Sequence, residues 1–189
     1  MRWRSWILAL CVGLAACQQG TQGDPGDVPA LECSPSEQVV DEALLAFLSK
    51  ARSVHVSADL VEADDPKAAI AVLTSLVDGP VPGGDDPPPE AREVLADTLA
   101  RMAELKSANN DFEEARRDID RGLALATDKT HYRGRLMEVL GVVEQREHKK
   151  LLAEGDEDGA AAAKARAIAA FQAAVDIQDE VIQRALGDL

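Results

Sequence analysis

The sequence predicts an all-α protein of about six helices, paired into antiparallel hairpins. Aromatic residues make up only 3% of the chain, and ring and β-branched side chains are the ones that favour strands. Ala, Leu and Glu are abundant instead, and these residues lose little conformational entropy in a helix. Apolar residues also recur at three- and four-residue spacing in six segments, which is the period of one helix face. We therefore expect almost no β-strand.

The length and charge of the chain narrow its possible partners. A chain of 189 residues, 46% of them hydrophobic, can bury one core or a short array of repeats. Asp and Glu number 34 against 20 Lys and Arg, which gives a net charge of -14. This charge repels the phosphate backbone of nucleic acids, to which basic proteins bind by releasing counterions. We expect no nucleic-acid partner.

The first sixteen residues have the organisation of an export signal. Arg2 and Arg4 form a basic beginning, and residues 7–16 carry no charge, as in the apolar region of a secretory signal. A run of about ten apolar residues is too short to span a bilayer, which takes about 20. We therefore interpret residues 1–16 as a cleaved signal peptide and expect no permanent transmembrane helix.

The signal ends in Leu14-Ala15-Ala16-Cys17, which resembles the lipobox of bacterial lipoproteins. The resemblance implies that a diacylglycerol is attached to the Cys17 thiol, that cleavage occurs before this residue, and that acyl chains anchor the protein in the cell envelope. Because Gln18 stands where the family's inner-membrane proteins have Asp, it also implies the outer membrane, with the protein facing the periplasm. The alternative is an ordinary secretory signal cut after Ala16.

One further cysteine remains after this processing. Cys11 leaves with the signal and Cys17 carries the lipid, so the mature chain has Cys33 as its only thiol and no internal disulfide. Residues 17–35 are rich in Gly, Gln, Asp, Pro and Ser, a composition that does not recover the entropy lost on folding. We interpret this segment as a flexible tether, in which Cys33 either pairs with another molecule or stays free.

Two helices are predicted to form a first hairpin in residues 36–79. The first is predicted over residues 35–58, with Ser34 as its N-cap and Pro at its first position. Asp65, followed by Pro, then caps a second helix that ends before Gly79. Each helix carries apolar residues on one face, so the two are expected to pack together.

A Gly/Pro linker is predicted between this hairpin and the rest of the chain. Residues 80–89 read PVPGGDDPPP, and both Gly and Pro break helices. Residues 90–189 are predicted to form two more hairpins, with helices at about 88–107, 112–126 and 132–154, a turn at 155–159, and a last helix after it. In the last helix, the residues predicted to face the core are Ala167, Ile168, Phe171, Ala174, Val175 and Ile177.

The segment Asn110-Asp111-Phe112-Glu113-Glu114-Ala115 resembles the start of the second helix of a tetratricopeptide repeat. Such repeats are helical hairpins that stack into a right-handed array, with small residues where paired helices touch. Further matches to the family's pattern are Ala103 twelve residues before Ala115, the pair Leu140-Gly141, and Ala167, Phe171 and Ala174 in the order A-x-x-x-F-x-x-A.

The spacing of these matches departs from the family's period of about 34 residues. The corresponding alanines, Ala69, Ala115 and Ala167, are separated by 46 and 52 residues. The Gly/Pro linker accounts for the residues by which the first spacing exceeds this period. Two added turns in each helix of the last hairpin account for most of the residues by which the second spacing exceeds it. An unrelated six-helix bundle is the alternative. If the resemblance holds, the groove along the first helices of the hairpins includes Asp97, Glu104, Arg135, Glu138 and Arg146.

The sequence contains no pattern typical of an enzyme active site. Nucleophile elbows, phosphate-binding loops and H-E-x-x-H zinc motifs are absent, so we expect neither catalysis nor a cofactor. His55, His131 and His148 are too far apart for a local metal motif, and we interpret them as surface or cap residues. Residues 154–159, EGDEDG, imitate the start of a calcium loop, but the twelfth position is Ala165 where an EF-hand needs Glu. We interpret them as an exposed turn, with weak cation binding as the alternative, and predict no metal site.

The sequence favours a lipid-anchored adaptor that binds a protein or an extended peptide of the cell envelope. Stacked repeats form a concave surface suited to such partners. One alternative is an accessory or small-ligand-binding lipoprotein with a pocket between hairpins near the Gly/Pro linker. The other is a structural spacer without a specific ligand. A fold alone does not decide among them.

Overall fold

A computed structural model describes residues 41–187 of the chain. All regular structure in this part is helical, which confirms the predicted all-α class. The predicted signal peptide, Cys17 and the tether lie outside the described residues. The helices are α1 (Glu42–Glu62), α2 (Pro66–Val77), α3 (Pro89–Ala108), α4 (Phe112–Leu125), α5 (His131–Glu154) and α6 (Glu157–Gly187).

The first helix begins at Glu42 and therefore later than predicted. The preceding residue, Asp41, has an extended backbone, and its carboxylate accepts hydrogen bonds from the N–H groups of Ala43 (2.9 Å) and Leu44 (3.1 Å). A side chain that satisfies two of the first free N–H groups is an effective N-cap, so the helix starts here. The predicted cap, Ser34, lies outside the described residues. The helix also ends about one turn beyond the predicted end.

The Gly/Pro segment forms the predicted loop, at residues 78–88, but it does not separate two independent parts. Gly83 and Gly84 have positive φ angles of 79° and 60°, which glycine adopts without steric cost. Between α2 and these glycines, Val81 packs on the core formed by α1, α2 and α3. The loop is therefore held on the protein, and the first hairpin shares its core with α3.

The six helices pack as three hairpins, each in contact only with its neighbours. α1 pairs with α2, α3 with α4, and α5 with α6. α3 also lies against both helices of the first hairpin, and α5 lies against both helices of the second. Each hairpin that is followed by another therefore has the next helix packed into its groove. The groove between α5 and α6 has no such helix in residues 41–187.

The largest core lies between α3, α4 and α5. It combines small residues from α3 with larger ones from α4 and α5, so that the helices approach closely where the small residues lie. Its fully buried members are Ala96, Ala100, Ala103, Ala115, Ile119, Leu136, Val139 and Val143.

The buried face of α6 differs from the prediction. Ala167 and Ala174 are buried as expected, but Ile168 and Val175 are each 59% exposed. Small residues form the contact face, because α6 lies close to α5. Ile168 and Val175 each follow a buried alanine and therefore stand about 100° further round the helix, away from this face. The prediction that Ile168 and Val175 face the core is thus wrong. The buried residues of α6 are Ala160, Ala163, Ala167, Ala170 and Ala174.

Candidate functional site

A mainly polar cleft of about 360 Å³ is lined by residues of α1, α3 and α5. These are the first helices of the three hairpins, and they present their side chains to one shared face. Three of the five predicted groove residues, Asp97, Glu104 and Arg135, line this cleft. Its polar lining residues are His55, Glu62, Asp97, Arg101, Glu104 and Arg135.

The other two predicted groove residues lie beside the cleft. Arg135 donates from Nη2 to Glu104 Oε2 (3.1 Å) and from Nη1 to Glu138 Oε2 (3.3 Å), which places Glu138 at the edge. Arg146 donates from Nη1 to the Glu104 carbonyl and to the Ser107 hydroxyl, both at 2.7 Å. The guanidinium adds a hydrogen bond to a carbonyl that the Ser107 hydroxyl also contacts, near the C-terminal end of α3, where a positive charge is favourable. Arg146 is therefore occupied in joining α5 to α3.

Arg101 joins α3 to α1 at one wall of the cleft. Its Nη2 lies 2.6 Å from Asp59 Oδ1 and 2.5 Å from Glu62 Oε2, and its Nη1 donates to the His55 carbonyl at 3.4 Å. Charge-assisted hydrogen bonds of this kind are the stronger ones in proteins. Both carboxylates belong to α1, so Arg101 fixes the position of α1 relative to α3.

His55 lies half-buried between α1 and α3, and its interpretation as a surface or cap residue is wrong. Its Nε2 is 2.9 Å from Thr98 Oγ1, which donates its only proton to the Val94 carbonyl at 2.7 Å. Nε2 therefore carries a proton and donates, which leaves Nδ1 as the acceptor 3.5 Å from Arg101 Nη1. Burial lowers the pKa of His55 below its ordinary value; the Asp97 carboxylate opposes this shift and the Arg101 charge adds to it.

Asp97 is the acceptor that the cleft leaves free. Within residues 41–187 its carboxylate has no hydrogen-bond or ion-pair partner, although it is only partly exposed. The Asp97 carboxylate also acts on the Tyr132 hydroxyl. Burial raises the pKa of Tyr132, and the negative charges of Glu93 and Asp97 raise this pKa further. Arg101 and Arg135, by contrast, each already hold two carboxylates. The cleft can therefore accept a cationic group or a hydrogen-bond donor.

A second polar cluster, which the sequence analysis missed, joins α4, α5 and α6. Glu144 is 2% exposed and accepts from Arg116 Nε and Arg166 Nε, each at 2.7 Å. Glu147 contacts the same two guanidinium groups. Burial opposes ionisation of Glu144, but the hydrogen bonds from Arg116 and Arg166 outweigh it and hold its pKa below the ordinary value. All four side chains are satisfied by one another, so this cluster is structural.

The remaining histidines and the acidic turn also have structural partners. His148 Nδ1 lies 2.8 Å from the Ala160 carbonyl, across the α5–α6 contact, so it too is more than a surface residue. His131 is the exposed first residue of α5. In the acidic turn, Asp156 Oδ1 accepts from the Gly159 N–H at 2.9 Å and caps α6, which begins earlier than predicted. Residues 41–187 contain no cluster of His, Cys, Asp or Glu suited to a metal ion.

A second cavity, of about 390 Å³, lies beside the Gly/Pro loop. It is formed by α2, the loop, α3 and α4, and its lining is mainly apolar. This is the region where the sequence analysis placed the pocket of a small-ligand-binding protein. The side chains around it include Val77, Val81, Leu95, Leu99, Arg121 and Leu125.

Comparisons with known proteins supply no relative from which a role could be transferred. No family model, curated protein or solved structure matches the chain. Within residues 41–187, no helix is both long and apolar enough to cross a bilayer. The two clefts and their side chains are thus the basis for assigning a function.

Proposed function

We propose that the chain is a lipid-anchored protein of the cell envelope and that its hairpins form a tetratricopeptide-repeat-like adaptor. A protein or extended peptide binds in the cleft over α1, α3 and α5. The observation that carries this proposal is the convergence of Asp97, Glu104 and Arg135 on one cleft, where they meet His55 and Arg101.

Two features of the packing support the repeat-like arrangement. α3 packs against both helices of the first hairpin, and α5 packs against both helices of the second, although α3 lies mainly on α2 and α5 mainly on α3. Ala103 and Ala115, the small pair expected where two repeat helices touch, are both fully buried in the same core. Stacked hairpins of this kind present a continuous surface along their first helices, and the cleft lies on that surface.

The charges of the cleft indicate a basic or hydrogen-bond-donating segment as its ligand. Among residues 41–187, Asp97 offers a carboxylate without a partner, whereas the guanidinium groups of Arg101 and Arg135 are held by neighbours. The net charge of -14 favours encounter with cationic partners over a distance of about one Debye length.

The proposal is tested by photo-crosslinking in intact cells, with Asp97→Lys compared with Asp120→Lys. Both substitutions change the net charge equally, but Asp120 is exposed on α4, away from the cleft. We expect Asp97→Lys to reduce capture of the dominant partner by about tenfold or more, as for a charged contact at an interface, and Asp120→Lys to leave it unchanged. Equal capture by both variants would contradict the cleft as the binding site.

Lipid anchoring is tested separately with Cys17→Ser and, as the matched control, Cys33→Ser. Without the thiol no diacylglycerol can be attached, so the Cys17→Ser protein is released from the membrane fraction or keeps its signal. The Cys33→Ser protein stays attached and processed. Unchanged attachment and processing of the Cys17→Ser protein would exclude the lipid assignment, whatever the cleft binds.

The cavity beside the Gly/Pro loop supports a second candidate, a small-ligand-binding lipoprotein. A ligand that binds only the folded state raises the apparent stability, so a library of small apolar compounds can be screened by thermal shift. Ala124 lines the cavity from an exposed position on α4, and Ala124→Trp should fill it and abolish the shift. If neither a partner nor a ligand is found, the spacer interpretation is favoured.

A further inference from the structure

The outer face of α6 carries an apolar stripe that no other described helix covers. Ile168 and Val175 are each 59% exposed and Ile182 is 54% exposed. With the exposed Ala161 they follow one another at intervals of seven residues, which is close to two helical turns. We use the name α6 stripe for Ala161, Lys164, Ile168, Val175, Asp179 and Ile182.

The position of the stripe in the fold is one where another helix would pack. In the first two hairpins the groove between the paired helices is filled by α3 and α5. In the last hairpin the corresponding groove is open along Ile168 and Phe171, with a mainly apolar cavity of about 340 Å³. The open groove and the exposed row of the α6 stripe are therefore adjacent on one side of α6.

We propose that the α6 stripe binds the α6 stripe of a second copy of the chain, with the two helices antiparallel. The two-fold axis passes between Phe171 and Gln172. In this register Ile168 faces Val175 of the second copy, and Ala161 faces Ile182. Each contact occurs twice, because a two-fold interface is made of the same patch on both subunits. The stripe is therefore self-complementary in its apolar residues.

The charges of the stripe fit the same register. Lys164 and Asp179 lie on the stripe at equal distances from the axis, so Lys164 of each copy faces Asp179 of the other. The ion pairs of α5 and α6 in the part of the chain that the structure describes include neither side chain. The dimer would give both a partner of opposite charge.

Other occupants fit the stripe less well. Parallel pairing of two copies would place Lys164 beside Lys164 and Asp179 beside Asp179, and like charges at such positions disfavour pairing. A membrane surface would have to accommodate the Asp179 carboxylate within the apolar face, which is costly. The antiparallel second copy is the occupant that matches both the apolar and the charged residues.

The experiment uses two full-length copies with different tags, co-expressed and co-purified from detergent extracts. Lys164→Asp and Asp179→Lys are each introduced alone, and then one into each copy. Either variant paired with itself makes two repulsive contacts and should lower co-purification by about tenfold. When Lys164→Asp is paired with Asp179→Lys, both contacts join opposite charges, and co-purification should return to the wild-type level.

The outcomes separate this dimer from other possibilities. Val175→Asp should abolish co-purification, and Asp120→Lys on α4 serves as the control that leaves it unchanged. Asp97→Lys should also leave it unchanged, since no residue that lines the α1–α3–α5 cleft belongs to α6; failure of the adaptor proposal would thus not affect this result. Absence of wild-type co-purification, or no recovery in the mixed pair, overturns the proposal.

Discussion

The ring of Phe171 lies directly against the backbone of Gly141. A Cβ placed on Gly141 would stand 2.6 Å from both Cδ1 and Cε1 of the ring, closer than such atoms approach in proteins. The absence of a side chain on α5 at this point is therefore what allows the aromatic ring of α6 to lie between the two helices. The same two residues were selected from the sequence by their resemblance to tetratricopeptide repeats.

This contact predicts that Gly141→Ala destabilises the protein. The added methyl group displaces the ring, which we expect to cost about 1–3 kcal/mol, partly offset by about 1 kcal/mol from the better helix propensity of Ala. In a Phe171→Ala background the ring is absent, and Gly141→Ala should become stabilising by up to about 1 kcal/mol. Urea unfolding of the four proteins in this cycle measures both values.

Gly187→Ala is the matched control for this cycle. Gly187 is the last residue of α6, and nothing lies within 4 Å of the position of its Cβ. The substitution should therefore change the free energy of unfolding by only a few tenths of a kcal/mol. If Gly141→Ala has the same effect with and without Phe171, the ring is not the source of the cost.

Local sequence signals were sufficient for the helices and for their order. Asp65 caps α2 from its carboxylate to the Ala68 N–H at 3.0 Å, as its position before Pro66 predicts. The predicted start of α1 was wrong, because the Asp41 carboxylate accepts hydrogen bonds from the N–H groups of Ala43 and Leu44 and the helix begins there. The predicted buried face of α6 was also wrong. Which face of α6 is buried depends on how closely α5 approaches it, and the sequence of α6 alone does not give that distance.

The candidate site was predicted only in part, because a sequence gives local periodicity but not the contacts between distant helices. Asp97, Glu104 and Arg135 could be placed on one surface because helix periodicity and a family resemblance assign them to it. His55 and Arg101 were missed, since their contact links residues 46 apart in sequence. The cluster around Glu144 depends likewise on three helices meeting, and a single sequence carries no local signal for it.

The cluster of α4, α5 and α6 predicts that Glu144→Gln is destabilising at neutral pH. The amide removes the buried charge that Arg116 and Arg166 share, although Glu147 remains, so we expect a loss of about 1–3 kcal/mol. Because the pKa of Glu144 is lower in the folded state, its contribution is present above the ordinary value of 4.5 and is lost as the pH falls through the lower folded pKa. Denaturant unfolding from about pH 7 to about pH 3 should show the two proteins converging.

Glu114→Gln controls for loss of an ordinary carboxylate. Glu114 and its partner Arg117 are both largely exposed, and such pairs contribute about 0–1 kcal/mol. Equal losses from Glu114→Gln and Glu144→Gln, or a constant difference between wild type and Glu144→Gln at every pH, would contradict a buried network.

The position of His55 predicts a loss of stability on mild acidification. Burial and the Arg101 charge keep the folded-state pKa of His55 below its ordinary value of 6.5. The unfolded state therefore binds a proton first, and the stabilisation present above the ordinary value is lost as the pH falls through the folded pKa. His55→Gln keeps a donor for the Thr98 hydroxyl but does not titrate, so the fall in Tm from about pH 7.5 to about pH 5.5 should be smaller in this variant.

His131→Gln provides the comparison for this measurement. His131 is exposed at the start of α5 and does not line the cleft, so His131→Gln controls for replacing a histidine away from Thr98 and Arg101. A His55→Gln protein whose Tm falls with pH as steeply as that of the wild type would show that the His55 ring does not contribute.

Arg101 predicts which part of the fold opens most easily. In residues 41–187, α1 packs on α2 and α3 alone, and Arg101 supplies the ion pairs from α3 to Asp59 and Glu62. Arg101→Ala should cost about 1–2 kcal/mol, and the cost should appear as faster amide hydrogen exchange in α1, since local opening follows the loss of local contacts. Exchange in α5 and α6 should be unchanged. The control is Arg117→Ala, which removes an exposed ion pair on α4 and should accelerate exchange in neither region. Uniform acceleration in all helices after Arg101→Ala would contradict local opening and indicate that the six helices unfold as one unit.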